Sequence, residues 1–262
     1  MPRYALTLAY DGSRFNGWQT QPGGAAAQDA LERALAVIAG HPVGTICAGR
    51  TDAGVHALRQ VAHFDSGANR PLSAWVRGVN SHLPDGLAVR SVTPVADEFH
   101  ARYGAARRRY RYLLHRSAVR HPLLARRAGW TFHDLDLGRM REAAALLVGE
   151  HDFSSFRSAE CQAASPVRRL EELSLCERGA FVVFTFTGNA FLHHMIRNLM
   201  GALLAVGEGR HEPAWLAALL VGRDRRQAPA TFAADGLYFD GAQYDQRFGV
   251  PSWGGDPLDC FA

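Results

Sequence analysis

The sequence contains no lysine, because all 29 of its basic residues are arginine. This absence excludes enzymes that form a Schiff base through a lysine amine. It also excludes the phosphate-binding loop that ends in Gly-Lys-Ser or Gly-Lys-Thr. A glycine-rich dinucleotide-binding fingerprint is missing as well. Lysine chemistry, P-loop nucleotide hydrolysis and nicotinamide-dependent redox chemistry are therefore not expected.

Cysteine is also scarce, and none of Cys47, Cys161, Cys176 and Cys260 forms a Cys-x-x-Cys pair. This spacing argues against a zinc site and is typical of reduced thiols in the cytosol. Apolar runs are too short for a membrane span, since Arg, His or Gly interrupts the longest ones. The N-terminus lacks the layout of a signal peptide, so we expect a cytoplasmic protein without a membrane segment.

Strand and helix patterns alternate along the chain. The hydrophobic periodicity and the turn residues predict strands at 4–10, 43–47, 58–65, 87–95, 107–114, 167–176, 181–186 and 237–239, and helices at 31–39, 73–83, 137–148, 191–206 and 213–221. The two halves share this order of elements. We therefore expect two α+β lobes, with sheets on one side and helices on the other, divided near residue 105.

A tight loop around Asp52 is the most informative segment. It carries the run Ala-Gly-Arg-Thr-Asp-Ala-Gly-Val-His at 48–56, between two predicted strands. A carboxylate on a short loop between rigid strands suits a nucleophile or a base. Arg50 would supply a nearby cation that keeps Asp52 charged. By spacing alone, an ordinary Asp-Ala-Gly turn is the better explanation of the run, and the rest of the chain is what favours a catalytic role.

A basic stretch occupies the middle of the chain. Nine arginines and four histidines lie between Phe99 and His133, without any acidic residue. Such an excess is typical of a surface that binds a phosphate backbone, although a solvated basic face has the same composition. Tyr103, Tyr110 and Tyr112 lie among the arginines and favour nucleic acid, because bases stack on such rings. A packing role for Tyr110 in the core is the alternative.

The predicted helix at 191–206 has an apolar stripe, with His194, Arg197 and Gly201 on the opposite side. A glycine there would permit close approach of another chain or a ligand, with Arg197 beside the gap. An ordinary surface arginine is the alternative. His193 and His194 are adjacent, and adjacent residues on a helix do not face one site. We therefore expect no metal site at this pair.

Short motifs along the chain resemble the TruA family of tRNA pseudouridine synthases. In chain order they are Tyr10-Asp11-Gly12, Gly17-Trp18-Gln19, Gly49-Arg50-Thr51-Asp52-Ala53-Gly54-Val55-His56, Gly78-Val79-Asn80, Leu83-Pro84, Phe99-His100-Ala101-Arg102, Arg109-Tyr110-Arg111-Tyr112, Asp152-Phe153, Ser155-Phe156, Asn189-Ala190-Phe191, His193-His194-Met195, Arg197-Asn198 and Gly236-Leu237-Tyr238. Each motif is short, but the ordered set covers nearly the whole chain and is specific.

The resemblance implies an enzyme that isomerises uridine to pseudouridine at nucleotides 38, 39 and 40 of the tRNA anticodon stem-loop. Asp52 matches the catalytic aspartate of the family, and Arg197 matches the arginine that pairs with it. Tyr110 matches the tyrosine that stacks on the target uracil. Arg50 matches an arginine associated with base flipping, and Leu237 a residue that lines the uracil pocket.

The resemblance also implies a homodimer that uses no metal and no organic cofactor. Phe156, Arg109 and Arg111 are further expected substrate contacts. The expected fold is α+β, with two ferredoxin-like α/β lobes, mostly antiparallel sheets that meet at a central RNA-binding cleft, and helices on the outer face. We expect an N-terminal lobe at 1–105, a C-terminal lobe at 106–250 and a loose tail at 251–262.

The chain departs from the family pattern at a few positions. Arg59 replaces a common glycine, and Phe239 replaces a more usual aliphatic residue. The stretch at 22–27 has fewer distinctive residues than the family's usual turn into the first helix. These departures leave Asp52, Tyr110 and Arg197 untouched, so they bear on the choice of tRNA and not on activity.

Overall fold

The computed structural model describes residues 1–260; the last two residues of the expected tail lie outside the described residues. The chain divides into two compact units: unit 1 consists of Met1–Arg109 and the chain from Tyr238 onward, and unit 2 consists of Tyr110–Leu237. In chain order, strands β1 to β10 span Arg3–Tyr10, Ile46–Cys47, His56–Asp65, Leu87–Val95, Arg107–Arg116, Gly129–Thr131, Gly149–Asp152, Val167–Arg178, Phe181–Gly188 and Leu237–Gln243, and helices α1 to α4 span Ala27–Ala39, Leu137–Ala145, Met195–Gly207 and Trp215–Gly222.

The sheet of unit 1 has the strand order β4-β1-β3-β10. Strand β1 pairs antiparallel with both β3 and β4, and the short β2 also pairs antiparallel with β3. Strand β10 runs parallel to β3, with Tyr238 opposite His56 and Phe239 opposite Ala57. Because β2 and β3 are neighbours, the loop between them is held at both ends by one sheet.

Helix α1 follows the periodicity predicted for it. Leu31, Ala34 and Leu35 recur at helical spacing and are buried. At the start, the Asp29 carboxylate accepts a hydrogen bond from the Ala26 backbone N–H at 3.0 Å, which caps the first turn. At the end, Gly40 adopts a left-handed conformation with φ of 76°, as the sequence predicts for a helix stop.

The sheet of unit 2 has the order β5-β9-β8-β7, and β6 lies parallel beside β5. The predicted hairpin of β8 and β9 is confirmed, and β7 pairs antiparallel with β8. Helix α3 is buried on nearly every side and forms the centre of the unit. Most strand pairs in the two units are antiparallel and helices are few, which confirms the α+β class.

Some elements differ from their predictions. The predicted helix at 73–83 is confirmed only around a π-helical turn at Ala74–Gly78. Helix α3 begins at Met195 instead of 191. From Tyr238 onward, strand β10 belongs to unit 1, although these residues fall in the lobe expected at 106–250. It pairs with β3 over a long sequence distance, which local patterns do not encode. In residues 1–260, no helix is long and apolar enough to cross a membrane.

Candidate active site

The Asp52 loop, residues 48–55, is anchored on both sides of its carboxylate. Before Asp52, the Thr51 carbonyl accepts a hydrogen bond from the Trp18 backbone N–H at 3.0 Å. The Thr51 hydroxyl bonds to the Tyr10 hydroxyl at 2.8 Å. After Asp52, the Val55 N–H donates back to the Asp52 carbonyl at 3.1 Å and closes a turn. These bonds leave little freedom to the backbone that carries the half-buried Asp52 side chain.

Two glycines from the first motifs let the preceding chain lie against this loop. A Cβ at Gly17 would lie 2.6 Å from the Thr51 carbonyl oxygen, and Gly17 has φ of 78°. A Cβ at Gly12 would clash with the Val55 carbonyl. Other side chains would therefore push the 12–18 segment away from the loop. This contact explains why the Asp-Gly and Gly-Trp-Gln motifs accompany the aspartate motif.

Neutral groups support the start of the loop. The Gln60 amide donates to the Gly49 carbonyl at 2.7 Å and to the Tyr10 hydroxyl at 3.3 Å. Burial raises the pKa of the Tyr10 hydroxyl, so it stays protonated as a hydrogen-bonding group. Arg50 is exposed and Asp52 is half-buried. The loop thus presents a cation to solvent and a carboxylate at its surface.

Tyr110 is 8% exposed and lies edge-on to the Phe191 ring, with centroids 5.2 Å apart. Tyr112 has no exposed surface, and its hydroxyl donates to the Ala233 carbonyl at 2.9 Å. Both tyrosines are therefore packed, as expected for one face of β5. Tyr112 is committed to the core, whereas Tyr110 keeps a small exposed edge.

Arg109 makes contacts within the protein at the position expected to touch substrate. Its Nε lies 2.5 Å from a carboxylate oxygen of Asp240, which is fully buried. Its guanidinium also stacks over the Trp253 ring at 4.4 Å. The Gly254 and Gly255 N–H groups donate to the other Asp240 oxygen. Arg109 thus fixes part of the segment that we expected to be a loose tail, because it gives the buried Asp240 a counter-charge.

The turn before α3 differs from the helix predicted there. His194 adopts a left-handed conformation with φ of 61°, and the helix starts at the next residue. The His193 and His194 rings lie 4.0 Å apart in this turn. Neither histidine lies in the helix, so the prediction that they face different directions on a helix is wrong. A bulky residue at positive φ is uncommon, and sequence patterns do not reveal it.

Arg197 is half-buried on the first turn of α3 and makes two hydrogen bonds with one residue. Its Nε–H donates to the Phe232 carbonyl at 2.8 Å, and the Phe232 N–H donates to the Arg197 carbonyl at 3.1 Å. A Cβ at Gly201 would lie 2.5 Å from the Ala230 carbonyl oxygen. The gap beside Gly201 is therefore occupied by residues 228–232, here called the docked segment, and not by the ligand or second chain that the sequence suggested.

Asn198 and Arg225 complete this arrangement, although the sequence did not single them out for a role. Asn198 is fully buried, and its amide donates to the Phe156 carbonyl at 2.8 Å. Its side-chain oxygen accepts from Arg225 at 3.0 Å and from Thr231 at 2.7 Å. Phe156 itself has no exposed surface, so it contributes a carbonyl to this network instead of an exposed ring.

Leu237 is buried at the end of unit 2, and its N–H donates to the Ala234 carbonyl at 2.8 Å. The neighbouring Gly236 lies against the Leu113 and Gly129 backbones, where a Cβ would clash. This tight contact fixes the start of β10. It explains the glycine of the Gly-Leu-Tyr motif as a packing requirement, and this explanation does not depend on the role of Leu237.

Comparison with known proteins decides the family. The family model described as tRNA pseudouridine synthase matches residues 7–104 and 143–245. The chain belongs to this family. The matched ranges of the tRNA pseudouridine synthase model contain Asp52, Arg197 and Leu237, while Tyr110 lies between them.

Relatives named tRNA pseudouridine synthase A match this tRNA pseudouridine synthase over nearly its full length. The protein of Bordetella petrii is 58% identical over 95% of this chain and 93% of its own. That of Dechloromonas aromatica is 54% identical, over 99% of this chain and 97% of its own. That of Neisseria meningitidis serogroup C is 56% identical, over 96% and 97%. A chain of a Cbf5-Nop10-Gar1 complex has a TM-score of only 0.37, which supports no conclusion.

Seven of the nine arginines of the basic stretch fall into two groups in this tRNA pseudouridine synthase, and the half-buried Arg108 and Arg111 lie outside both. Arg109 and Arg116 pair with the carboxylates of Asp240 and Glu177. Exposed side chains form the second group, which consists of Arg102, Arg107, Arg120, Arg126 and Arg127. The second group is exposed, whereas Arg109 and Arg116 are used in ion pairs within the protein, so part of the predicted phosphate-binding surface serves the fold.

Proposed function

We propose that this chain isomerises uridine to pseudouridine in tRNA, at nucleotides 38, 39 and 40 of the anticodon stem-loop, with Asp52 as the catalytic carboxylate. The family supports the reaction class, and the anchored Asp52 loop is the observation that carries the assignment. A carboxylate that acts on a sugar or a base must be held in place before the substrate arrives. Hydrogen bonds at Thr51 and Val55 hold its backbone on both sides.

The reaction breaks the C1′–N1 bond, rotates the uracil and forms a bond between C1′ and C5. The proton at C5 is removed at the end, while N1 finishes protonated, so atoms and electrons balance without an oxidant or a reductant. Asp52 would attack C1′ or C6 as a nucleophile, or act as a base through a glycal. All three routes need an ionised carboxylate, so Asp52 is required in each of them.

The other site residues have proposed roles around that carboxylate. The target uridine must leave the base stack, at a cost of a few kcal/mol. Arg50, which is exposed, would assist this flipping. The Tyr110 ring would stack on the uracil and return about 1–3 kcal/mol. Leu237 would line the uracil pocket. Arg197 would keep the desolvated carboxylate charged, since arginine does not release its proton in proteins.

Arg111 and the exposed arginines of the basic stretch would contact the tRNA backbone. Arg109 and Phe156 would act indirectly, because Arg109 is bonded to Asp240 and Phe156 is buried. We further propose that the two units are ferredoxin-like lobes that bind RNA in a cleft. The enzyme would work as a cytoplasmic homodimer.

The test is to incubate the purified protein with unmodified tRNA transcripts and map pseudouridine by reverse-transcription stops after carbodiimide labelling. We expect product at positions 38–40 with the native chain. Asp52→Asn should abolish product while tRNA binding is retained, because the amide is a poor nucleophile and a poor base. Asp85→Asn, in an exposed loop of the same unit, is the matched control and should retain activity.

Two results would contradict the proposal. Normal product from the Asp52→Asn variant would remove the aspartate from the mechanism. Binding of tRNA without product by the native chain would indicate a catalytically silent tRNA-binding protein.

A further inference from the structure

We propose that Arg225 is a positioning residue for catalysis, which acts by fixing the docked segment that holds the Arg197 guanidinium. This inference rests on the proposed function of Arg197. Arg225 lies in a short 3-10 turn after α4, outside the motifs that carry the family resemblance. Its contacts connect three separate parts of unit 2.

Arg225 bonds to four oxygens. One terminal nitrogen, Nη1, donates to the Ala228 and Pro229 carbonyls at 3.0 and 2.9 Å. The other, Nη2, donates to the Asn198 side-chain oxygen at 3.0 Å and to the Thr231 hydroxyl at 3.2 Å. These acceptors are neutral, so Arg225 serves here as a rigid fork of donors and not as half of an ion pair.

The fork joins the docked segment to α3 directly. Thr231 donates to the same Asn198 oxygen at 2.7 Å, so Arg225, Thr231 and Asn198 form a closed triangle of hydrogen bonds. Asn198 is rooted in the core by its bond to the Phe156 carbonyl. The docked segment therefore has a fixed position on the helix at residue 231.

The residue after Thr231 in the docked segment links this fixed point to Arg197. Phe232 exchanges two hydrogen bonds with Arg197, one of them to the Nε–H of the guanidinium. Because Nε–H is used, a carboxylate would be addressed through the two Nη groups of Arg197. A shift of the Phe232 carbonyl would rotate the guanidinium plane and misalign these donors. An error of about 1 Å in such a group costs about a hundredfold in rate.

A lysine cannot replace Arg225 in this role. Its single ammonium would have to reach two carbonyls, an amide oxygen and a hydroxyl that are spread over both ends of the fork. Arg225 is half-buried, and this partial burial lowers the pKa of its guanidinium. Bonds lost there would leave poorly solvated acceptors.

The experiment compares Arg225→Gln and Arg225→Lys with Arg226→Gln. Arg226 is the adjacent residue, is exposed and pairs with Asp224, so it is a matched control. We expect both Arg225 variants to lower kcat on a tRNA transcript by about tenfold or more, with KM changed by less than about twofold. The control should keep both constants within about twofold of the native values.

Thr231→Val provides a second variant should Arg225→Gln fail to fold. It removes the hydroxyl that bonds to both Arg225 and Asn198 but keeps the side-chain volume. We expect kcat to fall by about threefold to fivefold with an unchanged KM. A melting temperature close to the native value would show that the loss is not caused by unfolding.

A double-mutant cycle with Arg197→Lys supplies the decisive readout. If Arg225 acts through Arg197, the double variant should be about as slow as Arg197→Lys alone. Multiplied losses, an unchanged kcat in the Arg225 variants, or a raised KM that indicates direct RNA contact would each overturn the inference. Full activity of Arg197→Lys alone would instead contradict the proposed role of Arg197.

Discussion

The Asp52 loop and the docked segment share one packing feature, but different groups hold each of them in place. In each, a glycine without a Cβ admits a backbone carbonyl: Gly12 admits that of Val55, and Gly201 admits that of Ala230. The loop is then secured by hydroxyl, amide and backbone groups. The docked segment is secured largely by the Arg225 guanidinium.

This difference predicts which substitutions each region tolerates. The supports of the loop are buried side chains such as Tyr10 and Gln60, so a small displacement in the core is transmitted to the carboxylate. The docked segment is attached from outside by a long side chain, so it can shift while the core of unit 2 stays packed. Steric substitutions should therefore damage the loop more than the docked segment.

Gly12→Ala is expected to have the largest effect among these substitutions. The added methyl would clash with the Val55 carbonyl, so the loop or the first motif must move. We expect kcat to fall by more than about tenfold, and the free energy of unfolding to fall by about 1–3 kcal/mol. Enzyme assays and urea unfolding would measure the two changes.

Gly44→Ala is the control for this substitution, since a Cβ there meets no atom within 4 Å. It should leave the unfolding free energy within about 0.5 kcal/mol of the native value. Equal stability and activity of both variants would show that the close approach at Gly12 does not hold the loop.

Gly201→Ala should cause a smaller loss. The methyl would meet the Ala230 carbonyl at 2.5 Å and push the docked segment outward. However, alanine favours the helix by about 1 kcal/mol over glycine, which offsets part of the strain. We expect little change in the unfolding free energy but a fall in kcat of about fivefold.

Gly207→Ala in the same helix gives the comparison for Gly201→Ala. There the methyl meets the Sδ and Cγ atoms of the flexible Met140 side chain, away from the docked segment. It should retain normal kcat. Equal losses in the two variants would mean that α3 itself, and not the docked segment, sets the activity.

The sequence predicted the loop better than the docked segment, for a physical reason. Residues 48–56 form one continuous motif, and its supports at Tyr10, Gly12 and Gly17 come from other recognisable motifs. Strand β10 and the docked segment depend on contacts between distant residues, which local periodicity does not encode. The hydrogen bonds of Arg225 cannot be predicted from the sequence, because an ordinary surface arginine has the same local sequence pattern.

The left-handed backbone conformation of His194 shows a second limit of prediction from sequence. Apolar spacing predicted a helix from 191, but the helix starts only at Met195. The apolar spacing continues back to 191, but His194 has a positive φ that is incompatible with a helix, and spacing does not reveal it. The prediction for Gly201 was wrong for a similar reason. The sequence indicated that another group approaches the glycine closely, but not that the docked segment of the same chain is that group.

The last expected effect separates the two regions by pH. His63 on β3 lies opposite Ile46 of β2, on the strands that carry the Asp52 loop. Burial, helped by the charges of Arg3 and His100, lowers the pKa of His63 to about 4. Its Nδ1 accepts a hydrogen bond from the Ala101 N–H at 3.1 Å, which requires an unprotonated nitrogen.

Between pH 6.5 and 4, the unfolded chain therefore binds a proton at His63 that the folded chain does not. Stability from this group is complete above pH 6.5 and falls as the pH decreases towards 4, by about 1–2 kcal/mol after solvent screening. His63→Asn keeps an acceptor but does not titrate, so its unfolding free energy should decrease less between pH 7 and pH 5. Parallel curves for the two proteins would contradict this assignment. The named bonds of the docked segment involve arginine, amide, hydroxyl and backbone groups, none of which titrates in this range, so acid should weaken unit 1, to which His63 belongs, before it affects these bonds.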